Sequence, residues 1–156
     1  MSNEKVIDII RAFFAEAEWK YDFDEANSVF TTGVGGLDSG LKSLRIILDV
    51  REDFVISYTI SPINGDEEAR PALAEYIARA NYGLIKGNFE LDFNDGEIRY
   101  KNLVSAVELE ADAANVQHLV FLSIQMFERY GKGMLQIMFG GMSPEDAINE
   151  AEQDMH

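Results

Sequence analysis

Residues 87–103 read GNFELDFNDGEIRYKNL, and this stretch is the most informative part of the chain about the fold. Apolar and polar residues alternate in FELDF and again in IRY, a period of two that is typical of half-buried strands. The intervening Asn-Asp-Gly is a strong signal for a tight hairpin turn, because glycine tolerates a positive φ. We therefore predict a β-hairpin that follows Gly87 and turns at Asp95 and Gly96.

The same alternation continues upstream and predicts about three further antiparallel strands. Residues 19–23 and 29–32 are short extended segments, and residues 44–50 and 54–60 form a hairpin that turns at Glu52-Asp53. We expect one face of this hairpin to lie on the core. The apolar residues assigned to that face are Leu44, Ile46, Leu48 and Val50 in the first strand and Phe54, Ile56, Tyr58 and Ile60 in the second.

Helical patterns surround the strands. Residues 6–17 carry one apolar stripe, with Ser2 or Asn3 as the N-cap, and a second helix follows the acids at 66–68 and ends at Gly83. Asp112 caps a long helix over residues 113–130 that extends towards residue 138, and Ser143 caps a short C-terminal helix. The order is helix, three antiparallel strands, helix, hairpin, long helix and short helix. We interpret residues 1–156 as a single α+β domain.

The charge and the lack of cysteine exclude several functions. With 28 acidic and 13 basic side chains the net charge is −15, which repels nucleic-acid phosphates and anionic lipid heads. The chain has no cysteine, so it has no disulfides and no thiolate metal sites, which suits the cytoplasm. Neither a signal peptide nor a span of about 20 apolar residues is visible. We expect a soluble cytoplasmic protein with no nucleic-acid or membrane partner.

The motifs that imitate catalytic or ligand sites have simpler explanations. Residues 35–43 resemble a phosphate-binding loop, but a strand follows them where a helix is required. Residues 92–103 imitate a calcium loop, but Leu103 stands where a glutamate is needed. His118 falls on a polar helix side, and His156 is at the end of the sequence. Asp22 and Asp24 are read as the solvent side of a strand. We therefore predict no catalytic residue, no cofactor and no metal.

The sequence resembles the YbjN-like family over nearly the whole chain, in specific motifs from residue 71 to 150 and in element order alone before that. The matching features are an asparagine before the strand, a glycine-phenylalanine-acid-leucine strand, an aspartate-glycine turn, an arginine-tyrosine pair and a closing serine-proline-glutamate. Here they are Asn81, the stretch 87–91 with Asn88 inserted, Asp95-Gly96, Arg99-Tyr100 and Ser143-Pro144-Glu145. The resemblance implies a type III secretion chaperone-like fold, frequent dimers, and a role described as bacterial sensory transduction regulation. It implies no reaction, cofactor or catalytic residue.

The long helix has more apolar residues than one core face needs. Phe121, Leu122 and Met126 fall outside the main apolar stripe, on a helix with few charges. Two explanations remain open: a second subunit or partner covers them, or the sheet and tail helix enclose both sides within one chain.

Three functions follow from this sequence. We favour a non-enzymatic protein-interaction or regulatory module, which is a homodimer with a protein or peptide client. The alternatives are a small-molecule sensor or enzyme, with a pocket lined by Tyr58, Phe89 or Tyr100 between the sheet and the long helix, and a secretion-type chaperone.

Overall fold

The computed structural model describes residues 3–153, which form five α-helices and six β-strands. The helices are α1 Glu4–Glu16, α2 Arg70–Tyr82, α3 Ala106–Ala111, α4 Val116–Phe139 and α5 Pro144–Ala151, with a 3₁₀ turn at Ala113–Asn115. The strands are β1 Asp22–Asp24, β2 Val29–Gly35, β3 Ser43–Val50, β4 Phe54–Ile60, β5 Asn88–Leu91 and β6 Ile98–Ser105. Ser2 and His156 lie outside the described residues.

All six strands belong to one antiparallel sheet in the order β1-β2-β3-β4-β6-β5. This arrangement confirms the predicted α+β class. Four strands precede α2 rather than three, because the short β1 pairs with β2 through Phe23 opposite Phe30. The predicted hairpin β5–β6 does not stand alone, since β6 also pairs along its length with β4. The sheet is therefore continuous.

The helix ends follow the capping residues, with two differences from the prediction. Asn3 accepts a hydrogen bond from the Val6 amide and begins α1, and Ser143 accepts one from Asp146 at the start of α5. Asp112 caps the 3₁₀ turn and not the long helix, so α4 begins at Val116 instead of residue 113. The short helix α3 was not predicted, although Ser105 forms a capping box that could have revealed it.

Packing between the helices and the sheet creates two apolar core clusters. One cluster joins α1, α3 and the N-terminal half of α4 to β2, β3 and β4, and includes Phe14, Phe30 and Leu119. The other joins α2, α5 and the C-terminal half of α4 to β5 and β6, and includes Tyr76 and Phe127. Every residue that these clusters take from the sheet lies on a single face, so the described helices all pack on that face.

A polar seam joins the N-terminal half of α4 to strands β4 and β6. The Ser57 hydroxyl donates to the Leu119 carbonyl at 2.6 Å, and the Thr59 hydroxyl to Ser123 Oγ at 2.7 Å. From β6, the Asn102 side-chain amide donates to the α4 backbone at 2.7 Å. Such bonds fix one position of the helix along the strands, because any slip would leave buried polar atoms without partners.

Within residues 3–153, no helix is long and apolar enough to cross a bilayer.

Candidate interaction surfaces

The outer side of α4 carries Phe121, Leu122 and Met126, which we call the α4 ridge. Phe121 keeps 40% of its surface exposed, while Leu122 and Met126 are half-buried. The Phe121 ring rests on α1 and the segment after it, with ring centroids 5.7 Å from Phe13 and 6.2 Å from Trp19. Enclosure within the chain is therefore partial: neighbouring aromatic rings support Phe121 from one side and leave it open on the other.

Met126 lies at the edge of a cleft of about 840 Å³ between α4, α5 and the loop joining β2 to β3. Its side chain packs against the second core cluster, with Ala147 and Ala151 of α5 also lining the cleft. The rim is charged, and the Glu128 carboxylate accepts the Asp38 amide at 3.1 Å, which ties the loop to α4. The ridge thus continues into a groove whose lining is mostly polar, with Met126, Ala147 and Ala151 as its apolar part.

The face of the sheet opposite the helices is bare and more apolar than the sequence pattern predicted. Pairing places Ile47 opposite Tyr58 and Ile56 opposite Leu103 on this open face. The prediction for β4 was therefore wrong, because its larger apolar residues point away from the helices while Ser57 and Thr59 point towards them. The open face carries seven apolar or aromatic residues: Val29, Ile47, Phe54, Ile56, Tyr58, Ile60 and Leu103.

The turn of the β3–β4 hairpin is the physical reason for this inversion. A two-residue turn at Glu52-Asp53 pairs Val50 with Val55, so even-numbered residues of β3 share a face with odd-numbered residues of β4. The even-numbered residues of β3 are all buried. The even-numbered residues of β4 must then lie on the other face.

Charged residues on the open face form an ordered cluster on β6 and β5. The Arg99 guanidinium lies 4.5 Å from the centre of the Tyr58 ring and donates to Glu90 at 2.8 Å. The Lys101 ammonium is 2.9 Å from the same carboxylate. Partial burial alone would raise the pKa of Glu90, but hydrogen bonds from Lys101 and Arg99 outweigh it and lower the pKa.

The isolated polar residues considered as chemical candidates do not converge. Asp22 and Asp24 are exposed on the edge strand, and Asp24 accepts two hydrogen bonds from Asn27 that lower its pKa. His118 is exposed on α4, with Nδ1 3.4 Å from the Lys86 ammonium. Within residues 3–153 no group of three or more histidine or acidic side chains could hold a metal ion.

The aromatic residues proposed for a pocket lie in separate places. Phe89 and Tyr100 are buried in the core and make an edge-to-face contact at 5.0 Å, whereas Tyr58 lies on the open face. The Tyr100 hydroxyl donates to the Lys86 carbonyl. These three rings therefore do not line one cavity between the sheet and α4.

Asn81 and the glycines of the hairpin have clear structural roles. The Asn81 side chain accepts the Phe89 amide at 2.8 Å and donates to the Phe89 carbonyl at 2.9 Å, so it occupies the outer edge of β5. Gly87 has φ of +73°, and a β-carbon there would overlap the Tyr100 ring. Gly83 is the C-cap of α2, and the Asp95 carboxylate accepts the amide two residues later in the β5–β6 turn.

These features define an α+β protein whose helices cover one face of a six-stranded antiparallel sheet. The chain belongs to the YbjN family, whose model, described as "Putative bacterial sensory transduction regulator", matches residues 7–136. This range extends further towards the N-terminus than the motifs predicted. It ends before Ser143-Pro144-Glu145, so that part of the resemblance has no support from the family match.

A solved structure has the same fold. The chain is similar to the crystal structure of YbjN from E. coli, described as "a putative transcription regulator", with a TM-score of 0.58 and 10% identity over 86% of this chain and 89% of that chain. An identity this low shows the fold alone. No curated protein sequence is detectably similar to the chain.

Proposed function

We propose that this chain is a non-enzymatic regulatory module that acts by binding another protein along the α4 ridge. The observation that carries the proposal is Phe121, an aromatic ring held in place by Phe13 and Trp19 and yet 40% exposed. Aromatic residues with a fixed orientation are frequent anchors of protein interfaces, because they lose little conformational entropy on binding. The family description as a regulator agrees with this role.

The ridge has the composition of an interface centre. Leu122 and Met126 extend the apolar surface from Phe121 towards the cleft beside α5, where charged side chains form a border. Burial of apolar surface would stabilise the complex by roughly 25 cal/mol per Å² before the costs of ordering. The net charge of −15 would raise the association rate of a basic partner more than its affinity. A chain without cysteine suits the reducing bacterial cytoplasm.

Site-specific crosslinking tests the proposal directly. A photoreactive phenylalanine analogue is placed at Phe121 and, as a matched control, at Val107, which is 75% exposed on a different helix, α3. In cells of the source organism we expect a discrete adduct with another protein from position 121 and none from position 107. The same set of weak adducts from both positions would show that the ridge has no specific partner.

A double substitution supplies the second test. F121E with L122E places two charges on the ridge without entering either core cluster. We expect the circular dichroism spectrum to be unchanged and the adduct from a probe at Met126 to be lost, because charges are depleted at the centres of interfaces. An adduct that persists in a folded double variant would contradict binding at the ridge.

The cleft lined by Met126 and α5 is the pocket we assign to a small-molecule sensor, since Tyr58, Phe89 and Tyr100 do not form a pocket together. A thermal-shift screen with metabolites separates this alternative, because a bound ligand raises the melting temperature by mass action. A ligand whose stabilisation disappears when Gln136 at the cleft wall is replaced by Trp would favour a sensor.

A further inference from the structure

The open face of the sheet has an apolar centre that extends across its three middle strands. Ile47 on β3, Tyr58 and Ile56 on β4 and Leu103 on β6 are cross-strand neighbours, and Leu103 is 48% exposed. An antiparallel sheet with one face in water normally carries polar residues on that face. The centre of this sheet does not follow that rule, so its open side has the composition of a buried surface.

The inverted strand β4 adds a second feature to the same conclusion, namely the polar residues on its helix side. Its helix side carries Ser57 and Thr59, whose buried hydroxyls donate hydrogen bonds to α4, while its outer side carries isoleucine and tyrosine. A strand with one solvated face is expected to have the opposite distribution. The distribution on β4 is that of a strand covered on both faces.

The charge distribution identifies which surface covers it. By pairing, the open face has three basic side chains (Arg45, Arg99, Lys101) and four acidic ones (Asp22, Asp24, Asp49, Glu90), whereas the rest of the chain has ten basic and twenty-four acidic side chains. Two copies of a chain with a net charge of −15 repel each other over most of their surface. The repulsion between two copies is smallest where their open faces meet, because the acidic and basic side chains of that face are nearly balanced in number.

The net charge of the open face also changes sign between its two edges, from two acids on β1 to two bases and one acid on β6 and β5. Asp22 lies on β1 at one edge, while Arg99 and Lys101 lie on β6 near the other. A two-fold axis parallel to the strands places β1 of one copy over the β6–β5 side of the other, where the two bases Arg99 and Lys101 outnumber the one acid, Glu90. A two-fold axis that lies between the two sheets, parallel to them and perpendicular to the strands, would place β1 over β1 and bring like charges together. Self-complementarity under one axis is what a two-fold interface requires.

We propose that a second copy of this chain packs on the open face, sheet against sheet, with the two-fold axis parallel to the strands. In this dimer β3 of each copy lies over β4 of the other, and the apolar centres around Ile47 and Tyr58 face each other at the ~10 Å spacing of packed sheets. The α4 ridge remains on the outside of both copies. The proposal goes beyond the proposed function, since it concerns the opposite side of the molecule.

The first test measures the mass in solution of three variants, each of which replaces one exposed apolar residue by glutamate. We expect wild type to sediment as twice the 17.5 kDa chain and L103E to sediment as the single chain, or with a dissociation constant raised at least about tenfold. V107E and F121E, also exposed apolar residues but on the helical side, should remain dimers. The circular dichroism spectrum checks that each variant folds.

The second test examines the orientation of the axis. D22K and K101E should each weaken the dimer, because each brings like charges together across the interface. The double variant D22K with K101E should recover most of the wild-type dissociation constant, since the lost pairs re-form with exchanged signs. K101E also loses its contact with Glu90, so E90Q with K101E is the control that removes the intrachain repulsion.

Each outcome decides the proposal. A wild-type monomer at all concentrations would overturn it, as would a dimer that L103E leaves intact or that F121E dissociates. A failure of D22K to rescue K101E would overturn the parallel axis. These outcomes are separate from crosslinking at the α4 ridge, which a monomer or a dimer could show.

Discussion

Asn81 should be among the most important polar residues for stability, although it is not buried. It lies one residue before the last residue of α2, and its amide satisfies both outward backbone groups of Phe89 on the edge strand β5, at 2.8 and 2.9 Å. The substitution N81A removes both bonds at once. No main chain beyond β5 can replace them, because β5 is the last strand of the sheet.

The magnitude follows from the two hydrogen bonds. Each is worth about 1 kcal/mol net, and the Phe89 amide, in a residue that is 1% exposed, is left without its partner. We therefore expect N81A to lower the free energy of unfolding by about 2–3 kcal/mol, and the melting temperature by about 4–12 °C for a chain of this size. N81D keeps the acceptor for the amide but sets a carboxylate against the Phe89 carbonyl, and should cost at least as much as N81A.

Urea denaturation followed by circular dichroism measures these changes, with the slope m as a check that the variants unfold from the same state. N88A is the matched control, because Asn88 donates to the same Phe89 carbonyl at a longer 3.2 Å and leaves the amide bond of Asn81 in place. We expect N88A to cost less than about 1 kcal/mol. A loss below about 0.5 kcal/mol for N81A, or equal losses for the two variants, would refute this role.

Three further predictions concern the core and the turns. We expect G96A to be unfolded by circular dichroism, because Gly96 has φ of +80° and a β-carbon would overlap the Gly65 backbone. G141A, with φ of +67° and open space around it, should cost only about 1 kcal/mol and keep a cooperative melting transition. A folded G96A that melts like G141A would contradict this expectation. Burial raises the pKa of Tyr100 from 10.0 to about 12, so the stability that the neutral Tyr100 contributes is present below pH 10 and is lost as the pH rises towards 12. Y100F should therefore lose less stability than wild type between pH 10 and 12. An equal loss of stability in Y100F would show that Tyr100 is not the source of the alkaline loss. T59V should lower the free energy of unfolding, measured by urea denaturation, by about 1 kcal/mol, since it removes one buried hydrogen bond to α4 and keeps the side-chain shape. A loss above about 3 kcal/mol would mean that the hydrogen bonds of the polar seam depend on one another.

Short-range patterns were sufficient to predict most of the elements. The Asn-Asp-Gly turn between β5 and β6, the capping serine of α5 and the apolar stripe of α1 are each local features whose physics does not depend on the rest of the chain. The loop at residues 35–43 is followed by β3, as its alternation indicated, so it lacks the helix that a phosphate-binding loop needs.

The face of β4 was predicted wrongly because alternation alone does not say which side is buried. The apolar residues of β4 are larger than Ser57 and Thr59, so the pattern favoured them for the core. The parity of a two-residue turn decides the question instead, once the core face of β3 is known. The two-residue turn and the core face of β3 are both visible in the sequence. Together they predict that Ser57 and Thr59 of β4 face the helices.

Long-range pairing accounts for the other differences. The alternation over residues 19–23 indicated a strand, but β1 is limited to Asp22–Asp24, because only these three residues pair with β2. The aromatic residues once assigned to a shared pocket were separated for the same reason, since the register of β4 on β6 places Tyr58 and Tyr100 on opposite faces. Whether the α4 ridge is covered depends on a partner, which no single-chain pattern contains.

Burial of the open face of the sheet in solution is tested most directly by methyl NMR with a soluble paramagnetic agent. We predict that the methyl signals of Ile47 and Ile56 stay sharp at concentrations where the chain is dimeric, while those of Val107 broaden strongly. In L103E the Ile47 and Ile56 signals should broaden as well. Equal broadening of all three residues in the wild-type protein would contradict burial of the open face.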